Sequence, residues 1–310
     1  MWFKQFSWYN MQGSLLLEGD DLQEALQQKQ AYKPHATQSS SIGWISPLGE
    51  GHPLAITFKS FTWLSVRIDR KLLPASVIQE VLQEQLKEKE QEQGYPVSNK
   101  QKRVMKEEIT LDLLPKAFVQ SKRVQVVIDS ESKVLMIDNT SAAAKDAVVE
   151  LLRQTVGSLP MTHHIDYKSS IANVMKEWVS NPPENVEVEP ECTLIQPNNV
   201  NAKARVVGVE SDMIISYIDQ GMAVSQVLLQ YQNKVRFQLN DQLDVSRIKC
   251  IELEEEEKLE DPIEQMMLDF SLWVPYYVEL IGKFKEWLPV LSEPAEQSVK
   301  EELEEEIDAI

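Results

Sequence analysis

The stretch Leu73-Pro74-Ala75-Ser76-Val77-Ile78, running through to Leu113-Leu114-Pro115-Lys116-Ala117-Phe118, decides how the rest of the chain is arranged. Proline costs little in a first helical turn, so Pro74 opens a helix. Val77, Ile78, Val81, Leu82 and Leu86 then form one apolar stripe at helical spacing. From Gln83 to Gln93 the chain is nearly all Gln, Glu and Lys, so this helix outruns any core and projects into water. Gly94-Tyr95-Pro96 stops it. The return arm carries Lys100, Lys102, Arg103 and Lys106 before Ile109, Leu111, Leu113 and Leu114 re-enter apolar surroundings. The pattern predicts a protruding helical hairpin over 74–116, a finger with positive charge on one arm.

Outward from the finger, the patterning predicts an α+β protein with mixed or antiparallel sheets. Trp2, Phe3, Phe6 and Trp8 alternate with polar residues and read as a first strand, and Leu15–Leu17 reads as a second. Asp20-Asp21 is expected to cap a helix through Gln30. The segment Gly43 to Gly49 reads as a loop around Trp44. Leu54–Phe58 with Thr62–Ile68, and Val124–Ile128 with Val134–Ile137, read as two hairpins. Ser141 is expected to cap a helix that ends at Gly157. Asn181-Pro182-Pro183-Glu184 is the clearest linker signal. The organisation expected is a first α/β subdomain (1–73 and 117–180) interrupted by the finger, a second α/β subdomain (181–255), a helical segment (256–292) kinked at Pro275, and an acidic tail (293–310). In the second subdomain Leu194–Gln196, Ala202–Val207, Val224–Tyr231, Val235–Leu239 and Val245–Ile251 read as strands, and Ser211–Ile218 as a helix.

The formal net charge is −18, which argues against a nucleic-acid partner until its distribution is read. Residues 251–310 hold 19 acidic and 4 basic side chains, whereas 100–123 hold 7 basic and 3 acidic. At a Debye length of about 8 Å, a distant acidic tail barely weakens a local basic surface. Lys102 and Lys106 share a helix face, as do Arg103 and Lys106. Lys116, Lys122 and Arg123 follow. Lys203 with Arg205, and Lys234 with Arg236, alternate on strands, so a continuous basic strip is expected there. Such positives neutralise phosphates without reading sequence. The plain alternative is a solvated charged face.

No GxxxxGK[ST] or GxGxxG loop occurs, and the two cysteines, Cys192 and Cys250, give no metal-ligand spacing. His163-His164 is the only His pair, and adjacent strand residues point to opposite faces, so it reads as polar loop. Asp129 and Asp138 could meet at one end of a hairpin as a metal-holding carboxylate pair, although Asp at a strand end is the usual turn former. No cofactor is implied and an enzyme is not expected. No run reaches the length of a membrane span, so the cytoplasm is the expected location.

Several stretches are similar to one known family. Met1-Trp2-Phe3-Lys4, Ile42-Gly43-Trp44-Ile45-Ser46-Pro47-Leu48-Gly49, Lys71 to Ile78, Leu113 to Phe118, Ala142 to Leu159, and Glu177-Trp178-Val179 resemble, in order and spacing, the recombination-associated RdgC family from residue 1 to about 290. The resemblance implies a nucleoid-associated protein that binds duplex DNA (and single strands) with little sequence preference and restrains RecA-driven strand exchange. It also implies a closed homodimeric ring with a positively lined hole. Lys100, Lys102, Arg103, Lys106, Lys116, Lys122 and Arg123 are then the expected phosphate contacts, with Lys203, Arg205 and Arg236 beside them. Phe118 matches a phenylalanine at the family's dimer interface; the plain alternative is an ordinary core residue after a helix-ending proline. The family's second dimer contact is polar and basic, whereas the matching positions here are Val206 and Val207, so that contact has to be apolar or rearranged. The longer acidic tail suggests autoinhibition by nucleic-acid mimicry. A protein-interaction module, its acidic C-terminus docked on a basic partner, is the rival reading.

Overall fold

A computed structural model describes residues 3–13, 17–162, 168–196, 199–208, 211–251 and 259–288. The fold is α+β, with two antiparallel sheets and seven α-helices among the described residues.

The first sheet is built from β1 (Ser7–Met11), β2 (Ser40–Ile45), β3 (Ala55–Phe58), β4 (Phe61–Leu72), β5 (Phe118–Asp129), β6 (Val134–Ile137) and β7 (Met161–Thr162). Its order is β2-β4-β5-β6-β1-β7, with β3 and β2 sharing one edge of β4. The β4 and β5 strands pair along their whole length, from Phe61 opposite Asp129 to Leu72 opposite Phe118. Only Val126–Asp129 of β5 go on to pair with β6, so the outer half of β5 keeps a free edge among the described residues. One face of the sheet is covered by α1 (Gly19–Gln28) and α4 (Ala142–Val156), burying Trp44, Leu64, Val66, Val124, Leu26, Val148 and Leu152.

The second sheet has the order β12-β11-β10-β8-β9, from β8 (Val186–Gln196), β9 (Asn199–Val207), β10 (Ala223–Tyr231), β11 (Val235–Asn240) and β12 (Val245–Cys250). The chain just before β1 runs beside β12: Phe6 and Val245 exchange both backbone bonds at 2.8 Å, and Ile248 N–H donates to the Lys4 carbonyl. The long α7 (Pro262–Trp287), started by Asp261, which accepts from the Ile263 N–H at 2.7 Å, joins the two sheets. Its Phe270 stacks on Trp63 of β4 at 5.0 Å, while Tyr277 stacks on Phe3 at 5.7 Å. Farther along, Phe284 meets Phe237 of β11, and Trp287 meets Tyr231 of β10 and Trp178 of α5 (Lys168–Trp178). The apolar cluster is therefore continuous from the first sheet through α7 to the second, and it also takes in Ile214 and Ile218 of α6 (Ser211–Asp219). Each such side chain contributes roughly 1.5–3 kcal/mol by leaving water.

The finger has a third cluster of its own. Helices α2 (Ala75–Gln93) and α3 (Asn99–Leu113) close over Ile78, Leu82, Val97, Met105 and Ile109. Gly94 ends α2 with φ 77°, a left-handed value that favours glycine. Ser98 and Gln101 form a reciprocal capping box that starts α3.

Four local readings change. Ser40–Ile45 is a strand and not a loop, and β5 begins at Phe118 and not at Val124. Glu18 occupies the α1 cap position, placing Asp20 and Asp21 inside its first turn. Ser141 caps α4 by position only, with no side-chain bond. The Leu15–Leu17 strand falls mostly outside the described residues, as do His163-His164 and the acidic tail.

Candidate nucleic-acid interface

The positives of the finger and of the β4–β5 ribbon are mostly unpaired. Lys100, Arg103 and Lys106 are exposed on α3, and Lys102 is half-buried beside them. Arg103 lies 3.2 Å from Glu107 in an exposed pair, which is worth little in water. Lys116 stands in the single 3-10 turn that leads from the finger into β5, where Lys122 and Arg123 are exposed. Among the described residues none of Lys100, Lys102, Lys106, Lys116, Lys122 and Arg123 has an ion-pair partner.

Register adds two arginines that no spacing in the sequence links to these. Arg67 is the direct cross-strand neighbour of Arg123, and Ile68 is that of Lys122, with Arg70 two residues farther on. Arg70 and Lys122 line one cavity of about 390 Å³ against the start of α4, on the ribbon face opposite to Arg67 and Arg123. The ribbon is thus cationic on both faces. The only sequence signal for Arg67 is a charge within the largely apolar run Thr62–Ile68.

On the second sheet the expected continuous basic strip does not form. Arg205 Nη2 lies 2.8 Å from Glu191, which also receives Arg247. Arg236 lies 2.8 Å from Glu189. The bonds from Arg247, with those from Arg205, hold the Glu191 carboxyl below its ordinary range despite some burial. Lys203 is exposed and Lys234 sits in the turn before β11. Glutamates interleave these arginines and cancel their charge in place.

Phe118 is 83% exposed, so it is no core residue of its own chain. It forms an apolar tip with its exposed cross-strand partner Leu72 and with exposed Val119. Val206 is half-buried against the core, whereas Val207 is 57% exposed. Val207 lines a groove of about 430 Å³ with Met213, Tyr217, Met222 and Arg205, beside β9, which among the described residues pairs only with β8.

Asp129 and Asp138 do not meet. Asp129 lies opposite Val134 and accepts from the backbone N–H groups of Glu131 and Ser132 and from the Ser132 hydroxyl, which makes it a turn former. Asp138 donates its N–H to the Gln125 carbonyl, four residues back along β5, or about 13 Å at strand rise. Burial pushes its carboxyl up to about 7, with Lys122 pulling the other way. Among the described residues no group of three or more His, Cys, Asp or Glu could hold a metal ion.

The sequence profile described as "RdgC: Putative exonuclease, RdgC" matches residues 1–290. This chain belongs to the RdgC family. It is 31% identical over 257 residues to the recombination-associated protein RdgC of Bordetella parapertussis, covering 82% of this chain and 85% of that one. It is 29% identical over 300 residues to the protein of the same name from Pseudomonas aeruginosa, covering 91% and 97%. The Proteus mirabilis protein of that name is 29% identical over 259 residues, covering 80% and 84%. RdgC relatives are thus named for recombination, while the family description speaks of an exonuclease. Among the described residues no helix is long and apolar enough to cross a membrane.

Proposed function

We propose that this RdgC-family chain is a sequence-nonspecific DNA-binding protein. In this reading two copies close into a ring around duplex DNA and restrain RecA-mediated recombination on the nucleoid. One observation carries it: in a chain of net charge −18, six basic residues of the finger and ribbon stand without ion-pair partners among the described residues, while Arg205, Arg236 and Arg247 of the second sheet are matched to glutamates. Unpaired cations on a surface favour a polyanion, and release of its counterions supplies affinity without sequence readout. The finger projects as an arm toward DNA. The apolar tip around Phe118 closes one dimer contact, and the groove at Val207 closes the other with apolar packing in place of polar pairing.

The test replaces Lys102 and Lys106 with glutamine and measures affinity against salt on several duplex sequences. The expected result is weaker binding by a similar factor on every sequence, with a salt slope reduced by about one to two units. Replacing the paired Arg205 and Arg236 is expected to change the slope less. Loss confined to one sequence, or no change at all, would move the reading toward a protein-interaction surface.

A further inference from the structure

The pairing of β4 with β5 sets Arg67 directly opposite Arg123. Like charges in cross-strand register repel, because their Cβ atoms lie only about 4.5–5.5 Å apart. One ion pair offsets this on the Arg67 side alone. Arg67 Nε donates to Asp69 Oδ2 at 3.0 Å, and Arg123 has no ion-pair partner among the described residues. Both arginines line a cavity of about 390 Å³, shared with Ser121, Ser46 and His52. Glu50 is the one carboxylate among the lining residues, and it is exposed. The wall carrying Glu50 and His52 turns at Gly49 and Gly51, whose φ values of 103° and 83° favour glycine.

We propose that this cavity is a phosphate seat, with one phosphate group held between the guanidinium groups of Arg67 and Arg123 and a hydrogen bond from Ser121. A guanidinium offers five donors in a planar fork that matches phosphate oxygens. Asp69 occupies only Nε of Arg67 and orients the rest of its fork for the ligand. An anion between the two arginines turns a repelling pair into a clamp, which gives a physical reason for the pair. A volume of about 390 Å³ falls at the small end of ligand pockets, with room for a nucleotide-sized group and not for a duplex. The phosphate is therefore a terminal monoester of a DNA strand or a single diester of a splayed one. The choice of DNA as its source rests on the function proposed above; the seat itself does not.

The full-length protein is titrated calorimetrically with inorganic pyrophosphate, and with a short oligothymidylate carrying either a 5′-phosphate or a 5′-hydroxyl. Arg123→Gln and Ser121→Asp alter exposed positions, and an unchanged melting temperature shows that each folds. Saturable pyrophosphate binding, weakened at least tenfold by each variant, is expected. A terminal monoester seat favours the phosphorylated oligonucleotide, and the variants erase that preference. A diester seat binds both oligonucleotides alike, and the variants weaken both. No saturable pyrophosphate binding, or binding indifferent to both variants, would overturn the seat. If the protein still held circular DNA in that case, DNA binding would survive the loss of the seat. Arg123-dependent pyrophosphate binding in a protein that ignores DNA would have the opposite meaning.

Discussion

Lys145 of α4 places its ammonium 2.9 and 3.0 Å from the two carboxylate oxygens of Asp244, at the head of β12. Their side chains are only 11% and 5% exposed, and Asp244 also accepts from the Ser7 hydroxyl and from Asn240 Nδ2. The pair ties a helix on the first sheet to the second sheet. Removing one partner leaves a buried charge uncompensated, a cost of about 3–5 kcal/mol. Lys145→Met is thus expected to lower unfolding free energy in urea by that amount. Adding Asp244→Leu should cost less than the sum of the two single changes, because the buried charge is then gone. A Lys145→Met protein as stable as the parent would show that this pair does not hold the sheets together.

Two aromatic residues on the β4–β5 ribbon should behave in opposite ways. Trp63 is fully buried, stacks on Phe270, and donates from Nε1 to Gln125 Oε1 at 2.8 Å. Trp63→Ala is expected to cost about 3–5 kcal/mol of chain stability. Phe118→Ala removes an exposed ring, so stability within one chain should move by less than about 0.5 kcal/mol. The proposed dimer should instead dissociate at higher protein concentration in sedimentation equilibrium. A destabilised chain with an unchanged association constant would argue that Phe118 packs internally.

Asp138 gives the protein a pH dependence with a definite sign. Its folded carboxyl is pushed up from 3.8 to about 7, chiefly by burial, so the folded state holds a proton that the unfolded state releases. The associated stability is fully present below about pH 4 and is lost as pH rises through about 7. Each tenfold difference in proton affinity amounts to about 1.4 kcal/mol. Asp138→Asn should remove this component. The difference between parent and variant unfolding free energies should therefore slope across pH 4–7 and flatten above it. A difference that stays constant across that window would show an ordinary, solvated carboxyl.

The two helices α2 and α3 were legible because their punctuation is local chemistry: Pro74, Gly94 and Ser98 act through their own backbone and side chains. Strand β2 was not, because Gly43 and Pro47 look like loop residues. Gly43 is in fact a strand glycine at a close crossing, where an added Cβ would lie 2.5 Å from Ala31 Cα. The outer half of β5 was missed because Val119 to Arg123 are exposed on both faces, and their strand character comes from pairing with β4 alone. Alternation of apolar residues signals burial, and here there is none. The same register explains the site. Arg67 and Arg123 meet only because the finger is inserted between two paired strands, and composition carries no trace of that meeting. The glutamates that match Arg205 and Arg236 both come from β8, next to β9 and two strands from β11, so spacing along β9 and β11 showed the positives without their partners.

Encirclement is tested most directly by binding the protein to a relaxed DNA circle and to the same DNA linearised, then washing both with high salt. Salt strips phosphate contacts and leaves a topological link intact. Retention on the circle with loss from the linear form is the predicted result, and opening the retained circle should release the protein. Equal loss from both forms would contradict the ring and leave only surface binding by the finger and ribbon.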